Sequence, residues 1–583
     1  MKRFLVTTAD ERTWNKERPL LFLGEWCKLY QRRQVWAGLD VQVVPYHWDD
    51  RHKLQRDHQY LQGLYEELLQ ELAAKLNELH GSDHSLRYWR ILIGPWLLAF
   101  VEILFDRWEM VRRAVKEFTP EGVRILGKDR GQLVPNDMTG YLNLSVDDYW
   151  NEAIYGSLLR EWTTMPIEKV PLNTTDEAPK EREGSTLMGR LKCQLAGISS
   201  SLSQLFVRDD EYFFLSTYLP LQQDLQLQRQ LGQLPRRWRH RPVPQIQVEW
   251  VRRHWQIGRA DLEGFPAIIR AMIPCHLPTL YLEGYNALQS LCRKLPWPKK
   301  PRLLFTSNSF YADDVFKAWA ADKIELGTPL VIGQHGGNYG VGRWESLEDH
   351  QVAISDRWLS WGWSDKTRPK IKPVCNIKLV GRDQRWDPSG TALLVGMTIP
   401  RYSYRLYSVP VAGQWLNYFE NQCRFVAALP SPIRARLTVR LERQDYAWDQ
   451  KGRWQERYPG VCLDEGQGSI APLIGGARIC VSTHNATTFL ETMALNIPTL
   501  IFWDPRHYEL RDSAVPHFER LKTTGIFHVT PESAAQKLAQ VWEDVPAWWA
   551  SAPVQAARKE FCAVYSRLPE QPLVEIKQVL QHD

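Results

Sequence analysis

Two periodicities alternate along the chain: β-prone runs of a few residues that read as buried strands, and stretches in which apolar residues recur at helical spacing. The clearest unit begins at Ala477. A β-prone run to Val481 predicts a strand, Ser482 to Thr488 form a polar loop, and Phe489, Leu490, Met493 and Ala494 recur at helical spacing. Asn496 suits the helix C-cap, and Thr499 to Phe502 make a second strand after Pro498. This is one βαβ unit, with its loop at the carboxyl end of a parallel strand, where open α/β sheets bind ligands. N–H groups at the helix start suit a phosphate, and Glu491 suits the two hydroxyls of a ribose. Ser482, Thr483 and Asn485 suit plain capping equally well, and Glu491 a simple complement to the helix dipole.

The same alternation runs from the first residues. Phe4 to Thr7 and Val41 to Val44 predict strands, and Leu61, Leu64, Leu68, Leu69, Leu72 and Leu76 predict a long helical insertion over 54–80. The most apolar segment, Ile91 to Phe105, is interrupted by Gly94-Pro95 and carries Glu102, too short an apolar stretch to span a bilayer. Residues 171–184 are polar and turn-rich and predict a loop. A Pro- and Lys-rich hinge, Lys294 to Arg302, marks a domain boundary. After it, runs at 303–306, 329–333, 377–380, 392–395, 437–441, 477–481 and 499–502 predict one further doubly wound sheet of six or seven strands. The expected fold is therefore α/β, with two Rossmann-like doubly wound domains facing a central cleft. Residues 1–295 are expected to form the first domain with the helical insertion, 300–552 the second, and 553–583 a C-terminal helix packing back across them.

Composition adds little to this. The 26 Trp point to aromatic cores, and a net charge of +6 is compatible with an anionic ligand or membrane without requiring either. Nine scattered Cys with no C-x-x-C exclude a zinc ribbon or disulfide framework and point to a reducing, cytoplasmic setting. Arg236-Arg-Trp-Arg-His-Arg-Pro242 and Trp250 to Trp255 mix cations with indoles. They suit a solvated basic face with Trp turned inward, or peripheral contact with an anionic membrane; no nucleic-acid motif accompanies them.

A second stretch carries candidate chemistry. After the strand ending at Ile332, five glycines fall within Gly333-Gln-His-Gly-Gly-Asn-Tyr-Gly-Val-Gly342. Glycines let backbone N–H groups approach a phosphate, and His335 can carry a proton. Gln334, Gly336, Gly337, Asn338 and Tyr339 complete the candidate substrate loop. The pattern is neither G-x-G-x-x-G nor a Walker A loop. Arg401, Tyr402 and Arg405 follow one strand, and Arg440, Glu442, Asp445 and Tyr446 another; Arg401 and Arg440 are read as a binding rim for phosphate or sugar carboxylate. Candidate acid/base groups are Asp10 and Glu11 after the first strand, with Asp49 and Asp50 after the second. No D-x-D occurs, so neither a metal nor another cofactor is expected.

Three segments then carry a likeness: the Gly333–Gly340 loop, Ile354-Ser-Asp with Trp361-Gly-Trp363, and Ser482 to Asp504. They resemble a bacterial transferase family of surface-polysaccharide and lipopolysaccharide biosynthesis. The opening Phe4 to Trp14 and Tyr88 to Trp96 fit as well, so the likeness covers nearly the whole chain. The family looks like the GT-B glycosyltransferases, which implies that 1–295 is the acceptor-side domain and 300–552 the nucleotide-sugar-binding domain. That resemblance implies ribose binding by Glu491 and phosphate contact by Ser482, Thr483, Asn485, Thr487 and Thr488. The Gln-His-Gly loop is similar to that of Kdo-type capsule transferases, which implies CMP-Kdo as a donor. The expected protein is a cytoplasmic transferase, peripheral at the inner membrane face, with a nucleotide-sugar donor and a glycan or lipid-linked glycan acceptor. The competing readings are a nucleotide-sugar epimerase or hydrolase on the same fold, and a non-catalytic assembly protein that binds nucleotide sugars.

Overall fold

The computed structural model describes residues 2–127, 133–170, 207–259 and 261–581. The predicted loop at 171–184 lies outside them. The described strands form three wholly parallel sheets. The first, in order β3-β2-β1-β4-β5, holds β1 (Phe4–Val6), β2 (Leu20–Phe22), β3 (Val41–Val43), β4 (Gly122–Leu126) and β5 (Ile167–Val170). The second, β10-β9-β8-β7-β6, holds β6 (Tyr212–Phe214), β7 (Leu303–Thr306), β8 (Leu330–Gly333), β9 (Arg357–Ser360) and β10 (Ile371–Pro373). The third, β13-β12-β11-β14-β15-β16, holds β11 (Thr391–Val395), β12 (Leu437–Arg440), β13 (Cys462–Asp464), β14 (Ala477–Ser482), β15 (Thr499–Phe502) and β16 (Phe527–His528).

The parallel α/β class is as expected, but there are three sheets where two were predicted. The hinge at Lys294–Arg302 does not separate sheets, because β6 before it pairs with β7 after it, Tyr212 opposite Leu303. The single C-terminal sheet divides: 303–306 and 330–333 belong to the second sheet, and the later strands to the third. Residues Ile377–Leu379 form a 3₁₀ turn capped by Asn376 rather than a strand. Strand periodicity records that a segment is buried on both faces; it does not record which neighbour it pairs with.

Two long helices cross between β3 and β4. Arg51–His80 starts on the Asp50 carboxylate, which accepts from His52 and Lys53 N–H, and stops at Gly81 with φ 64°. Leu86–Arg113 starts on Ser85 and runs unbroken through Gly94-Pro95, where an interruption was expected. Pro95 sacrifices one helix hydrogen bond. Gly94 leaves room for the His350 ring, whose Cε1 would lie 2.7 Å from an added Cβ. By length and apolarity this helix passes for a membrane span, but 94% of its most apolar window is buried within the protein. It packs against Arg51–His80, Asp148–Trp162, Asp314–Glu325 and Ser346–Ile354, and so touches elements of the first two sheets at once.

The C-terminal segment forms two helices. Ala552–Tyr565 packs on Thr488–Ala494 and Val515–Thr523 beside the third sheet. Pro572–Gln581 places Leu573, Ile576 and Leu580 in the core of the second. Trp26, Trp48, Trp89, Trp96, Trp150, Trp358, Trp361, Trp415, Trp448 and Trp454 are fully buried, so tryptophan serves mainly as core. The basic stretch divides: Arg236 pairs with buried Glu211 at 2.9 Å, Arg253 with Glu283 at 2.6 Å, and Trp238 stacks on Phe213, while Arg237, Arg239, His240 and His254 are exposed.

The first and third sheets are tied by a polar strut. Arg401 donates to the Trp26 carbonyl, to Asp148 at 2.5 Å and to the Tyr446 carbonyl at 3.1 Å. Breaking a largely buried ion pair leaves a charge unpaired, so Arg401→Ala should cost about 3 kcal/mol in urea denaturation. A loss below about 1 kcal/mol would rank the strut with ordinary surface pairs.

Candidate functional site

The carboxyl ends of β7 and β8 face the loops that follow β11, β12 and β14. Each expected site residue can be placed on this junction or off it.

After β8, Gln334 is buried and fully employed. Its Nε2 donates to the Gly336 carbonyl at 2.8 Å, while its Oε1 accepts from Trp361 N–H and Trp363 Nε1, both at 2.9 Å. The Trp-Gly-Trp segment thus braces the glycine loop, and Gln334 is a positioning residue rather than a ligand. Tyr339 is likewise buried, with its hydroxyl 3.1 Å from His335 Nε2 and accepting from Gln351 at 3.1 Å. Asn338 donates to Glu345. Gly337 lies against the next loop, since a Cβ there would stand 2.3 Å from the Ala486 carbonyl oxygen. The loops after β8 and β14 therefore touch, backbone to backbone.

His335 is half-buried among Tyr339, Phe310 and Tyr218, at ring distances of 5.1, 5.9 and 6.0 Å. Burial, reinforced by the Arg405 and Lys378 cations, pushes its pKa down to about 3. It is a neutral imidazole across the physiological range, with a buried Nδ1 that makes no well-formed hydrogen bond among the described residues, the Ser307 backbone standing nearest.

In the loop after β14, the polar residues divide. Ser482, Thr483 and Asn485 are buried and donate to the carbonyls of His484, Val395 and Ser408 at 3.2, 2.8 and 3.0 Å. They brace the loop instead of capping the helix, whose N-cap residue Thr487 makes no side-chain cap hydrogen bond. Thr487, Thr488 and Glu491 stay half-buried, and Glu491 pairs with Lys378 Nζ at 2.6 Å. Lys378 was not foreseen, because it sits on the turn misread as a strand.

The expected rim also changes. Arg401 belongs to the strut above. Arg440 pairs with Asp464 and donates to the Gly468 carbonyl at 2.6 Å, beside β13. Arg405, four residues beyond Arg401, is the cation of this rim left without an ion pair among the described residues. Its guanidinium lies 4.2 Å from the Tyr407 ring centre and 5.3 Å from that of Tyr404, and its buried Nε has no hydrogen-bond partner among them. Beside it, buried Glu345 has its pKa raised to about 7 by burial, against the pull of Arg405 and of the Leu347 N–H it caps. The arrangement offers a desolvated guanidinium fork on an aromatic cradle, a neutral imidazole and a carboxyl poised near neutrality. Such a set can hold an anionic oxygen and follow its charge with a proton.

The first-domain candidates fall elsewhere. Asp10 caps a 3₁₀ turn and pairs with Arg12 at 2.7 Å. Glu11 pairs with Arg32 and Lys16 at 2.8 and 3.2 Å; the Arg32 hydrogen bond, above all, holds its carboxyl below the usual range, which makes it a poor base. Asp49 accepts from Gln414 at 3.0 Å, and Asp50 caps its helix. The structure assigns all four to surface pairs, caps and inter-sheet ties.

Over residues 3–580 the chain matches the profile described as LIC12162 family transferase. It belongs to the LIC12162 transferase family. The likeness carried by the Gln-His-Gly loop and the β14 unit is borne out at that level. Two solved structures are similar to about half of this transferase. One is the pneumococcal O-GlcNAc transferase GtfA in complex with UDP and GlcNAc: 12% identity, TM-score 0.32, 52% of this chain and 60% of that one. The other is WaaG, a glycosyltransferase involved in lipopolysaccharide biosynthesis: 10% identity, TM-score 0.25, 52% of this chain and 96% of that one. The chain thus spans about three-fifths of the length of the first. Comparison with curated proteins finds no match.

The loop-to-loop contact is directly testable in this transferase. Gly337→Ala must displace backbone rather than a flexible side chain, at a cost of about 1–3 kcal/mol in thermal or urea denaturation. Gly38→Ala meets nothing within 4 Å and should stay within about 0.5 kcal/mol of wild type. Equal behaviour of the two variants would show that the loops do not touch.

Proposed function

We propose that this transferase moves a glycosyl group from a nucleotide-sugar donor to a hydroxyl of a bacterial surface-polysaccharide or lipopolysaccharide precursor, at the cytoplasmic face of the membrane, with CMP-Kdo the first donor to try. The observation that carries this reading is Arg405, half-buried at the ends of two parallel sheets, with its Nε enclosed and unbonded and only the near-neutral Glu345 carboxyl close by, at no ion-pair distance among the described residues. A buried guanidinium without a carboxylate partner is costly unless a ligand anion completes it. A donor phosphate would supply that anion. The fork would then hold the leaving phosphate as its charge develops, with no reorganisation at the moment of transfer. His335, being neutral, can donate or accept one hydrogen bond without adding charge. Thr487, Thr488 and the Lys378–Glu491 pair line the third-sheet side, where a ribose and base would lie.

Calorimetry and thermal shift against CMP-, UDP-, GDP- and TDP-sugars test the donor. Arg405→Gln should weaken the best of them by about 1.5–3 kcal/mol, the scale of a charge-assisted hydrogen bond. Unchanged affinity in the variant, or no nucleotide sugar binding the wild type, would overturn the reading.

The carboxyl of Glu345 gives a second test. An arriving phosphate brings negative charge beside a group already poised near pKa 7, and a like charge raises a carboxyl pKa further. Binding at pH 7.5 should therefore take up a fraction of a proton. Titrations in buffers of different ionisation enthalpy should show this uptake for wild type, and Glu345→Gln should abolish it. Proton release, or equal uptake in the variant, would place the anion away from Glu345.

A further inference from the structure

A second group of side chains stands at the carboxyl ends of β6 and β7, around a cavity of about 490 Å³. Ser216 lies two residues beyond β6 and has φ 52°, in the left-handed region that a serine enters only when its surroundings hold it there. Its carbonyl accepts from Ser307 N–H at 2.9 Å. The next residue is fixed on both sides: Thr217 donates to Asp224 at 2.6 Å and its carbonyl accepts from the Ser307 hydroxyl at 2.8 Å. The turn thus presents the Ser216 hydroxyl at the sheet edge, 3.0 Å from His240 Nε2. His240 Nδ1 hydrogen-bonds the Asp313 carboxylate. Asp313 is itself oriented, because its other oxygen caps the following helix by accepting from Phe316 N–H at 3.0 Å. With the imidazole proton on Nδ1, facing Asp313, Nε2 is left to accept the serine proton.

Two further groups in the cavity await a ligand. The Arg241 Nε and the Ser309 hydroxyl are both buried and have no hydrogen-bond partner among the described residues. Asn308, on the turn after β7, adds a side-chain amide with no hydrogen bond to the described protein, beside the same space.

We propose that Ser216, His240 and Asp313 form a second active centre, in which Ser216 is the nucleophile of an acyl transfer from a carboxylic ester that bears a negative charge. Ser216 Oγ attacks the ester carbonyl carbon as its proton passes to His240 Nε2. The carbonyl oxygen, now negative, faces the donors of Asn308 and Ser309. The ester C–O bond then breaks, the departing alcohol oxygen takes the proton from Nε2, and the acyl group remains on Ser216. Water or another hydroxyl attacks that acyl-serine, with His240 taking its proton, to release acid or a new ester and restore the serine. Arg241 supplies the contact that selects an anionic ester. Asp313 is a positioning residue: it fixes the tautomer and steadies the imidazolium. Its hydrogen bond also raises the pKa of His240. This centre does not depend on glycosyl transfer at Arg405 and stands or falls separately.

The test is covalent labelling of the full-length chain with a fluorophosphonate probe, read by intact mass and peptide mapping. One probe per chain on Ser216 is expected. Ser216→Gly, whose residue suits the left-handed backbone, and Ser216→Ala should take none. His240→Gln should label at least about 100-fold more slowly, the scale of losing a general base. Asp313→Asn keeps the helix cap but not the charge, and should move the midpoint of the labelling rate to lower pH. No adduct on folded wild type, an adduct on another residue, or an undiminished rate in His240→Gln would each overturn the proposal. An unmoved pH midpoint in Asp313→Asn would remove Asp313 from it.

Discussion

The arrangement hangs on one buried carboxyl. Glu102 sits in the middle of Leu86–Arg113, fully enclosed by protein, and burial lifts its pKa to about 8. A group so placed is tolerable only if both oxygens are satisfied. One accepts from the Ser346 hydroxyl and the other from Leu406 N–H at 2.7 Å. Those partners are the immediate neighbours of Glu345 and Arg405. A single side chain on the central helix therefore fixes a loop of the second sheet and a loop of the third, one residue away from the two groups whose charges face each other. The backbone bridge between Glu345 and Tyr407 closes the same link from the other side. Either protonation state can be accommodated, because a serine hydroxyl accepts as readily as it donates.

The same logic holds one turn further along the helix. Asp106 accepts from Tyr46, His47 and Arg107 at 2.6, 3.0 and 2.5 Å, and Arg107 reaches Asn151 at 2.8 Å. These groups turn an apolar helix that would suit a membrane into an axle with a defined rotation. Replacing them by hydrocarbon would preserve the burial and lose the register, since apolar contacts alone specify orientation weakly.

Much of this was legible in the sequence, and the boundary of legibility is physical. The β14 strand, its loop, the helix and the Asn496 cap were readable because each depends on neighbours within a few residues; Asn496 does take φ 57°. The glycine loop was readable for the same reason. Which sheet a strand joins was not, since β6 finds β7 across roughly ninety residues. Arg401 and Arg405 could not be told apart either. Both follow the same strand; one meets Asp148 and the Trp26 carbonyl from the first domain, and the other meets aromatic faces and the field of the Glu345 carboxyl. A residue's type announces what it can bond to, while its partner is set by chain folded in from far away.

That distinction also sorts positioning from chemistry. Gln334, Ser482, Thr483 and Asn485 looked reactive and are buried, with their side chains donating to backbone carbonyls, so a ligand would have to displace protein to reach them. Arg405 and His335 Nδ1 at the junction, and Arg241 Nε and Ser309 in the neighbouring cavity, are buried polar atoms that the described fold leaves incomplete. Each such atom forfeits about 1–3 kcal/mol that a partner would restore. A fold that tolerates several of them side by side, along the carboxyl ends of adjacent strands, holds in reserve the free energy with which it can bind. Phe310 and Tyr311 lie between the two groups: Phe310 packs near the His335 ring, and Tyr311 lines the Ser216 cavity. The two centres therefore share a wall built from one turn after β7, and a shift of that turn would be felt on both sides.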